Sequence, residues 1–211
     1  MLTGGTNTGV MRHVGEALSG THSALIGVAT HGIVTNREQL YGNVGGTKSY
    51  EIASSLTSKG AYLDHNHSHH LLVDDGTIKK FGREIPTRSA LEKFIMDSNR
   101  YLDNDPNAMN VPSVLLVLEG GPGTLGTVIG AIEGDHAIPV VIVKGTGRAA
   151  DLLAYAVTSV DVNSPDSLND LNSMVEEIFG PEHEVNPSLN LKKLYDQALL
   201  CAEKKHMVCI S

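Results

Sequence analysis

The chain has 211 residues, 41% hydrophobic but only 4% aromatic, with 22 glycines, two cysteines and a formal charge of -8. That length suits one α/β domain with an appendage, and the acidic balance argues against a nucleic-acid surface, which needs a basic stripe for counterion release. Cys201 and Cys209 alone argue against a disulfide scaffold or a Cys-based zinc site, and no apolar run approaches the roughly 20 residues that span a bilayer, so the segment reads as soluble with no direct membrane contact.

Residues 1–3 read as the end of a strand whose beginning is missing. They lead through Gly4-Gly5-Thr6-Asn7-Thr8-Gly9 into a helical pattern over residues 10–18, with His13 on its surface. A natural start there would leave a sheet edge unprotected, so the chain reads as a fragment. Residues 24–29 are apolar on both faces, as in a buried parallel strand, and end at Thr30-His31-Gly32. Residues 37–60, with Gly42, Gly45 and Gly46, read as a long loop.

The run Leu63-Asp64-His65-Asn66-His67-Ser68-His69-His70 leaves two uses open. In an extended chain His65, His67 and His69 share a face and could hold a metal. No carboxylate or thiolate is placed to complete a definite geometry, which favours hydrogen bonding where the loop enters the strand and turn of residues 71–77. Residues 83–101 read as a helix, with Pro86 in its first turn and Leu91, Phe94, Ile95 and Ser98 as its inner stripe. Arg88, early in that helix, is either a solvated partner of Glu84 or Glu92 or a bidentate clamp for phosphate.

A polar linker over residues 103–110 precedes a strand at 113–118 and the turn Leu118-Glu119-Gly120-Gly121-Pro122-Gly123-Thr124. Glycines there let the backbone approach an anion, and the amides opening the next helix point at it with the positive end of the helix dipole. That helix, residues 124–133, carries Leu125, Val128, Ile129 and Ile132 at core spacing. A strand at 138–143 then ends in Lys144-Gly145-Thr146-Gly147-Arg148 before a helix at 149–157. Ser164-Pro165-Asp166 caps a helix to Phe179, which Gly180-Pro181 should end. A last helix, residues 189–205, has the stripe Leu191, Leu194, Ala198 and Leu199, and Met207-Val208-Cys209-Ile210 reads as a strand start.

Glycine-rich ends on successive strands are the pattern of a doubly wound, mainly parallel α/β sheet, in which ligands bind beyond the carboxyl ends of the strands. The expected organisation is a Rossmann-like nucleotide-binding core over residues 1–160, lacking its first strand and helix, and a helical extension over 161–211. The ligand set is Gly4, Gly5, Thr6, Gly9, Met11, Arg88, Glu119, Gly120, Gly121, Pro122, Gly123, Thr124, Gly145, Thr146, Gly147 and Arg148, with no metal and no required cofactor.

The first glycine loop and its helix, Asn66-His67-Ser68-His69, Val73-Asp74-Asp75-Gly76-Thr77, Leu91-Glu92-Lys93-Phe94-Ile95, the second glycine loop and Gly145-Thr146-Gly147-Arg148-Ala149-Ala150-Asp151 together resemble the N-terminal cytosolic domain of melastatin-type TRP cation channels. That domain belongs to the SLOG superfamily, which also contains the LONELY GUY phosphoribohydrolases. The resemblance implies a cytosolic place in a homotetrameric channel assembly beside neighbouring subunits, and ADP-ribose or a related nucleotide as the ligand in some members. The enzymes carry a Gly-Gly-x-Gly-Thr-x-x-Glu signature, and this chain has Thr127 where its glutamate should stand. Threonine cannot steady an oxocarbenium-like transition state, so binding without catalysis is expected. Three readings remain: a regulatory module, a nucleoside monophosphate phosphoribohydrolase, and an assembly domain with a vestigial pocket. Ala90 replaces an arginine frequent in the channel pattern, leaving Arg88 as the clamp there.

Overall fold

In a computed structural model, residues 1–42, 44–52, 60–97, 111–133 and 137–211 are described. They divide into two compact units, Met1–Arg88 and Ser89–Ser211. The first holds β1 (Leu2–Thr3), α1 (Gly9–Leu18), β2 (Ile26–Thr30), short 3-10 turns at His31–Ile33 and Arg37–Leu40, and β3 (His69–Val73). Its strands form a parallel sheet in the order β1-β2-β3, with Leu2 opposite Ile26 and Val28 opposite Leu71. Leu25, Val28, Ala29, Val34 and Leu63 are among its buried apolar residues. The division falls within α2 (Ile85–Met96).

The second unit holds β4 (Leu115–Val117), α3 (Pro122–Glu133), β5 (Val140–Ile142), α4 (Arg148–Ser159), α5 (Pro165–Val185), α6 (Leu191–Glu203), a 3-10 turn at Lys205–Met207 and β6 (Val208–Ile210). Its strands are again parallel, in the order β4-β5-β6. The helices form because their apolar residues recur at helical spacing and meet one core: Leu125, Val128 and Ile132 on α3, Leu152 and Leu153 on α4, Leu171, Val175 and Phe179 on α5, Leu194, Ala198 and Cys201 on α6. Each large side chain fully buried there contributes about 1.5–3 kcal/mol. The parallel α/β class expected from the sequence is thus present, with α5 and α6 packed into the same core as β4 and β5.

Several boundaries differ from expectation. α5 does not stop at Phe179; it runs through Pro181 to Val185. Pro181 removes one helix donor, but it lies on an exposed face where water can reach the carbonyl it leaves unpaired. The turn beyond it is held by Phe179, fully buried, by Asn186 N donating to Glu182 O at 2.8 Å and by His183 Nδ1 donating to Leu189 O at 2.7 Å. On α2, Phe94 is 57% exposed rather than inward-facing, and none of that helix's residues is fully buried. Ser98, the expected helical residues to 101, the linker 103–110 and parts of the loop 37–60 lie outside the described residues. Among the described residues no helix is long and apolar enough to cross a membrane.

Candidate functional site

In the first unit the glycine loop joins β1 to α1. Gly5 has φ +68, and a Cβ there would come within 2.6 Å of Gly27 Cα, so backbone lies against backbone across β2. Its amide donates to Thr3 Oγ1 at 2.9 Å, while its carbonyl accepts from Asp64 N at 3.0 Å and from His70 Nε2 at 3.1 Å. Gly5 therefore locks the loop through its own amide and carbonyl. Gly4 is covered by Met11, whose sulfur would stand 2.6 Å from an added Cβ, and Thr6 Oγ1 points to that sulfur at 3.4 Å. Gly9, with φ +50 at the first position of α1, has open space around it. Thr8 precedes it as N-cap without a side-chain cap bond, and no acidic residue lies in the first turn.

Behind this loop runs a buried hydrogen-bond chain. His67 Nδ1 donates to Asp64 Oδ2 at 2.7 Å, so its Nε2 accepts from the Thr3 hydroxyl at 2.6 Å. Both side chains of the His67–Asp64 pair are fully buried, and a Cβ on Gly15 of α1 would fall 2.0 Å from Asp64 Oδ2. The Thr–His–Asp order is that of a nucleophilic relay. Thr3 Oγ1 is engaged on both sides, by Gly5 N and His67, so the chain fixes the loop. His65 is 71% exposed and His69 bonds to Ser68, so the three imidazoles do not converge, and no metal-ligating cluster of three or more groups exists among the described residues. Hydrogen bonding at the junction is the use the structure gives His67. Burial pushes the His70 imidazole below its ordinary value, partly offset by its bond to Gly5.

In the second unit the two remaining glycine loops are tied to each other. Glu119 N donates to Thr146 Oγ1 at 2.8 Å, and Thr146 Oγ1 donates to Val143 O at 2.7 Å. Ala150 N donates to Glu119 O at 2.9 Å and Ala149 N to Gly120 O at 3.3 Å, so the opening amides of α4 face the neighbouring loop. Gly145 N donates to Asp151 Oδ1 at 2.6 Å. The loop of Gly145, Thr146 and Gly147 is thus largely self-satisfied, with the Gly145 amide engaged by Asp151. The opening of α3 differs. The amides of Gly120, Gly121 and Gly123 find no acceptor among the described residues, Pro122 has none to offer, and no acidic residue lies in the first turn. Thr124 packs on Gly120, within 2.4 Å of where a Cβ would be, and Thr124 N donates to Gly121 O at 3.0 Å.

Arg148 stands beside this opening, its guanidinium 3.7 Å from the position of a Cβ on Gly121. Its Nη2 donates to Glu182 Oε1 on α5 at 2.5 Å, and the group sits 5.8 Å over the Phe179 ring. Glu119 and Arg148, both non-glycine, hold left-handed backbones at φ +49 and +48, a strain that persists only where the surroundings enforce it. Arg88 lies in the first turns of α2, half-exposed, with its amide donating to Glu84 O at 2.8 Å. The sequence pointed to Glu119 and Arg148 but not to their left-handed backbones, and it assigned no role to Asp151 or Glu182, whose partners lie across the loops.

Thr127, at the position of the enzyme glutamate, donates its hydroxyl to Gly123 O at 3.3 Å. Residues 1–201 match the family described as SLOG in TRPM. The chain is 38% identical to a transient receptor potential cation channel subfamily M member-like 2 of Nematostella vectensis over 85% of its length, covering 13% of that protein. It is 37% identical to subfamily M member 7 of Rattus norvegicus over 100% of its length and 43% identical to subfamily M member 2 of Mus musculus over 75%, in each case covering 11% of the relative. The chain therefore spans a small fraction of the curated relatives it matches.

Proposed function

Because the chain belongs to the SLOG family of TRPM proteins, we propose that it is a regulatory module on the cytosolic side of a melastatin-like calcium-permeable cation channel, assembled with neighbouring subunits as a homotetramer. It binds a nucleotide such as ADP-ribose, with a phosphate at the opening of α3. The observation that supports this reading is the set of unengaged amides at Gly120, Gly121 and Gly123, with the Arg148 guanidinium beside Gly121. Amides and dipole there favour an anion, and a guanidinium adds a charge-assisted donor. The module acts without turnover, because Thr127 supplies no carboxylate where N-glycosidic cleavage requires one. To regulate, the ligand must favour one assembly state by a coupling energy of about 1–3 kcal/mol.

Calorimetric titration of the whole chain with ADP-ribose tests this. Saturable binding that Gly121→Asp abolishes, with no free base detected chromatographically, is the expected result. Absence of binding in a protein with a cooperative melting transition would leave only an assembly role.

A further inference from the structure

We propose that the first unit carries another anion site, sharing no residue with the glycine loops, which takes a phosphomonoester group between Arg37 and Lys79. A cavity of about 160 Å³ opens there, lined among others by Gly32, Thr35, Arg37, Glu38, Gly60 and Lys79. Two strand-end segments build it. Lys79 N donates to Gly32 O at 3.0 Å, and a Cβ on Gly32 would lie 1.9 Å from Thr77 O, so the segment carrying Lys79 rests directly on the backbone after β2. On the other wall, Ala61 N donates to Ile33 O and Thr35 N to Ala61 O, each at 3.0 Å. Gly60 is held so close that a Cβ would stand 2.6 Å from Thr35 Oγ1.

The lining has the chemistry of an anion receptor. Arg12, Arg83 and Arg148 each pair with a carboxylate, whereas neither Arg37 nor Lys79 does so among the described residues. The buried Thr35 hydroxyl has no hydrogen-bond partner among the described residues, although an unpaired buried hydroxyl is costly. Glu38 is the one carboxylate in the lining, so the site carries a net positive charge. Pockets that bury a drug-sized ligand start at about 300 Å³. This one accepts a phosphate with a few attached atoms and not a dinucleotide. A phosphomonoester has up to two negative charges and three strong acceptor oxygens, enough for the guanidinium, the ammonium and the hydroxyl together.

The phosphomonoester could come from a soluble metabolite or a lipid headgroup, and the test separates them. The whole chain is titrated with inorganic phosphate and glycerol 3-phosphate, and sedimented with phosphatidylcholine vesicles with and without phosphatidic acid. Arg37→Gln weakens binding at least tenfold and Glu38→Gln strengthens it. Lys79→Gly is the decisive variant: Lys79 has φ +58, which glycine adopts without strain, so the protein keeps or gains melting temperature while losing the ligand. Binding by the soluble probes assigns a metabolite, and phosphatidic-acid-dependent sedimentation with the same losses assigns a headgroup. Binding of no probe, or binding unchanged in Arg37→Gln and Lys79→Gly, overturns the proposal. ADP-ribose titration of Lys79→Gly, expected to match the parent, keeps this outcome apart from the fate of the α3 site.

Discussion

Replacing Glu182 by Gln is expected to tighten nucleotide binding. In the free chain the Arg148 guanidinium is committed to Glu182 at 2.5 Å, with the two side chains 39% and 45% exposed. A phosphate at the opening of α3 must draw the guanidinium away from that carboxylate or share it. An ion pair exposed to this degree is worth about 0.2–1 kcal/mol, and since every 1.4 kcal/mol is tenfold in affinity, removing the competitor improves binding about 1.4- to 5-fold. Arg148→Gln removes a charge-assisted hydrogen bond to the ligand, worth about 1.5–3 kcal/mol, and weakens binding about 10- to 140-fold. In the Arg148→Gln background the Glu182 substitution has nothing left to release and its effect disappears. Calorimetric titrations of the parent, both single variants and the double variant with ADP-ribose form the cycle. Weaker binding by Glu182→Gln, or equal binding by Arg148→Gln, would refute the competition.

Other perturbations probe the rest of the molecule. His67→Ala strands the buried Asp64 carboxylate and leaves the Thr3 hydroxyl without its acceptor. Leaving a buried polar group without its partner costs about 1–3 kcal/mol, more where it is charged, and a loss below about 1 kcal/mol in denaturant titration would contradict the role given to the chain. His70 is held toward its neutral form by burial, so the unfolded chain takes up a proton near pH 6.5 that the folded chain resists. Its stability contribution is therefore whole above about pH 6.5 and lost as the pH falls below it. Melting curves from pH 7.5 to 5 should flatten in His70→Gln, and an unchanged slope would refute the assignment. Cys201 is buried with its thiol pushed up to about 12, while Cys209 is exposed. A thiol reagent at neutral pH should label one cysteine per folded chain and two in denaturant; rapid double labelling of the native protein would show the α6 core to be open.

The elements legible in the sequence are those whose cause is local. Val140 and Ile142 announced β5, and the spacing of Leu125, Val128 and Ile132 announced α3. What escaped depends on residues far apart in the chain. Pro181 is a local stop signal, overridden because Phe179 is anchored in the core and Glu182 reaches back to Arg148, 34 residues earlier. His67 belonged to a conspicuous run, but its partner Thr3 lies 64 residues away and no periodicity encodes that meeting. Phe94 sat at core spacing and is exposed all the same, since an apolar stripe is buried only where another element covers it. The left-handed backbones of Glu119 and Arg148 leave no mark in composition, because the position demands the conformation and glycine is merely the residue that usually meets it.

The same distinction sorts the glycines on which the sequence reading leaned. A glycine at a strand end has two separate causes: a neighbour too close for a Cβ, or a backbone that must present its amide outward. Gly5 is there for the first cause, pressed against Gly27 within β2, each with the other's backbone within 2.6 Å of an added Cβ. Gly123 is there for the second, with nothing within 4 Å and its amide unengaged at the head of α3. Under the proposed reading, a count of glycine loops therefore overstates the ligand contacts, which narrow to the opening of α3 and the guanidinium beside it. Two acidic residues nearby are engaged, Asp151 with the Gly145 amide and Glu182 with Arg148, while the Glu119 carboxylate has no hydrogen bond or ion pair among the described residues. Thr127 turns its hydroxyl back onto Gly123 O. On the reading proposed above, the amides at the head of α3 are the donors for a phosphate, whereas cleavage of a glycosidic bond would require a carboxylate held at the sugar, where Thr127 stands instead.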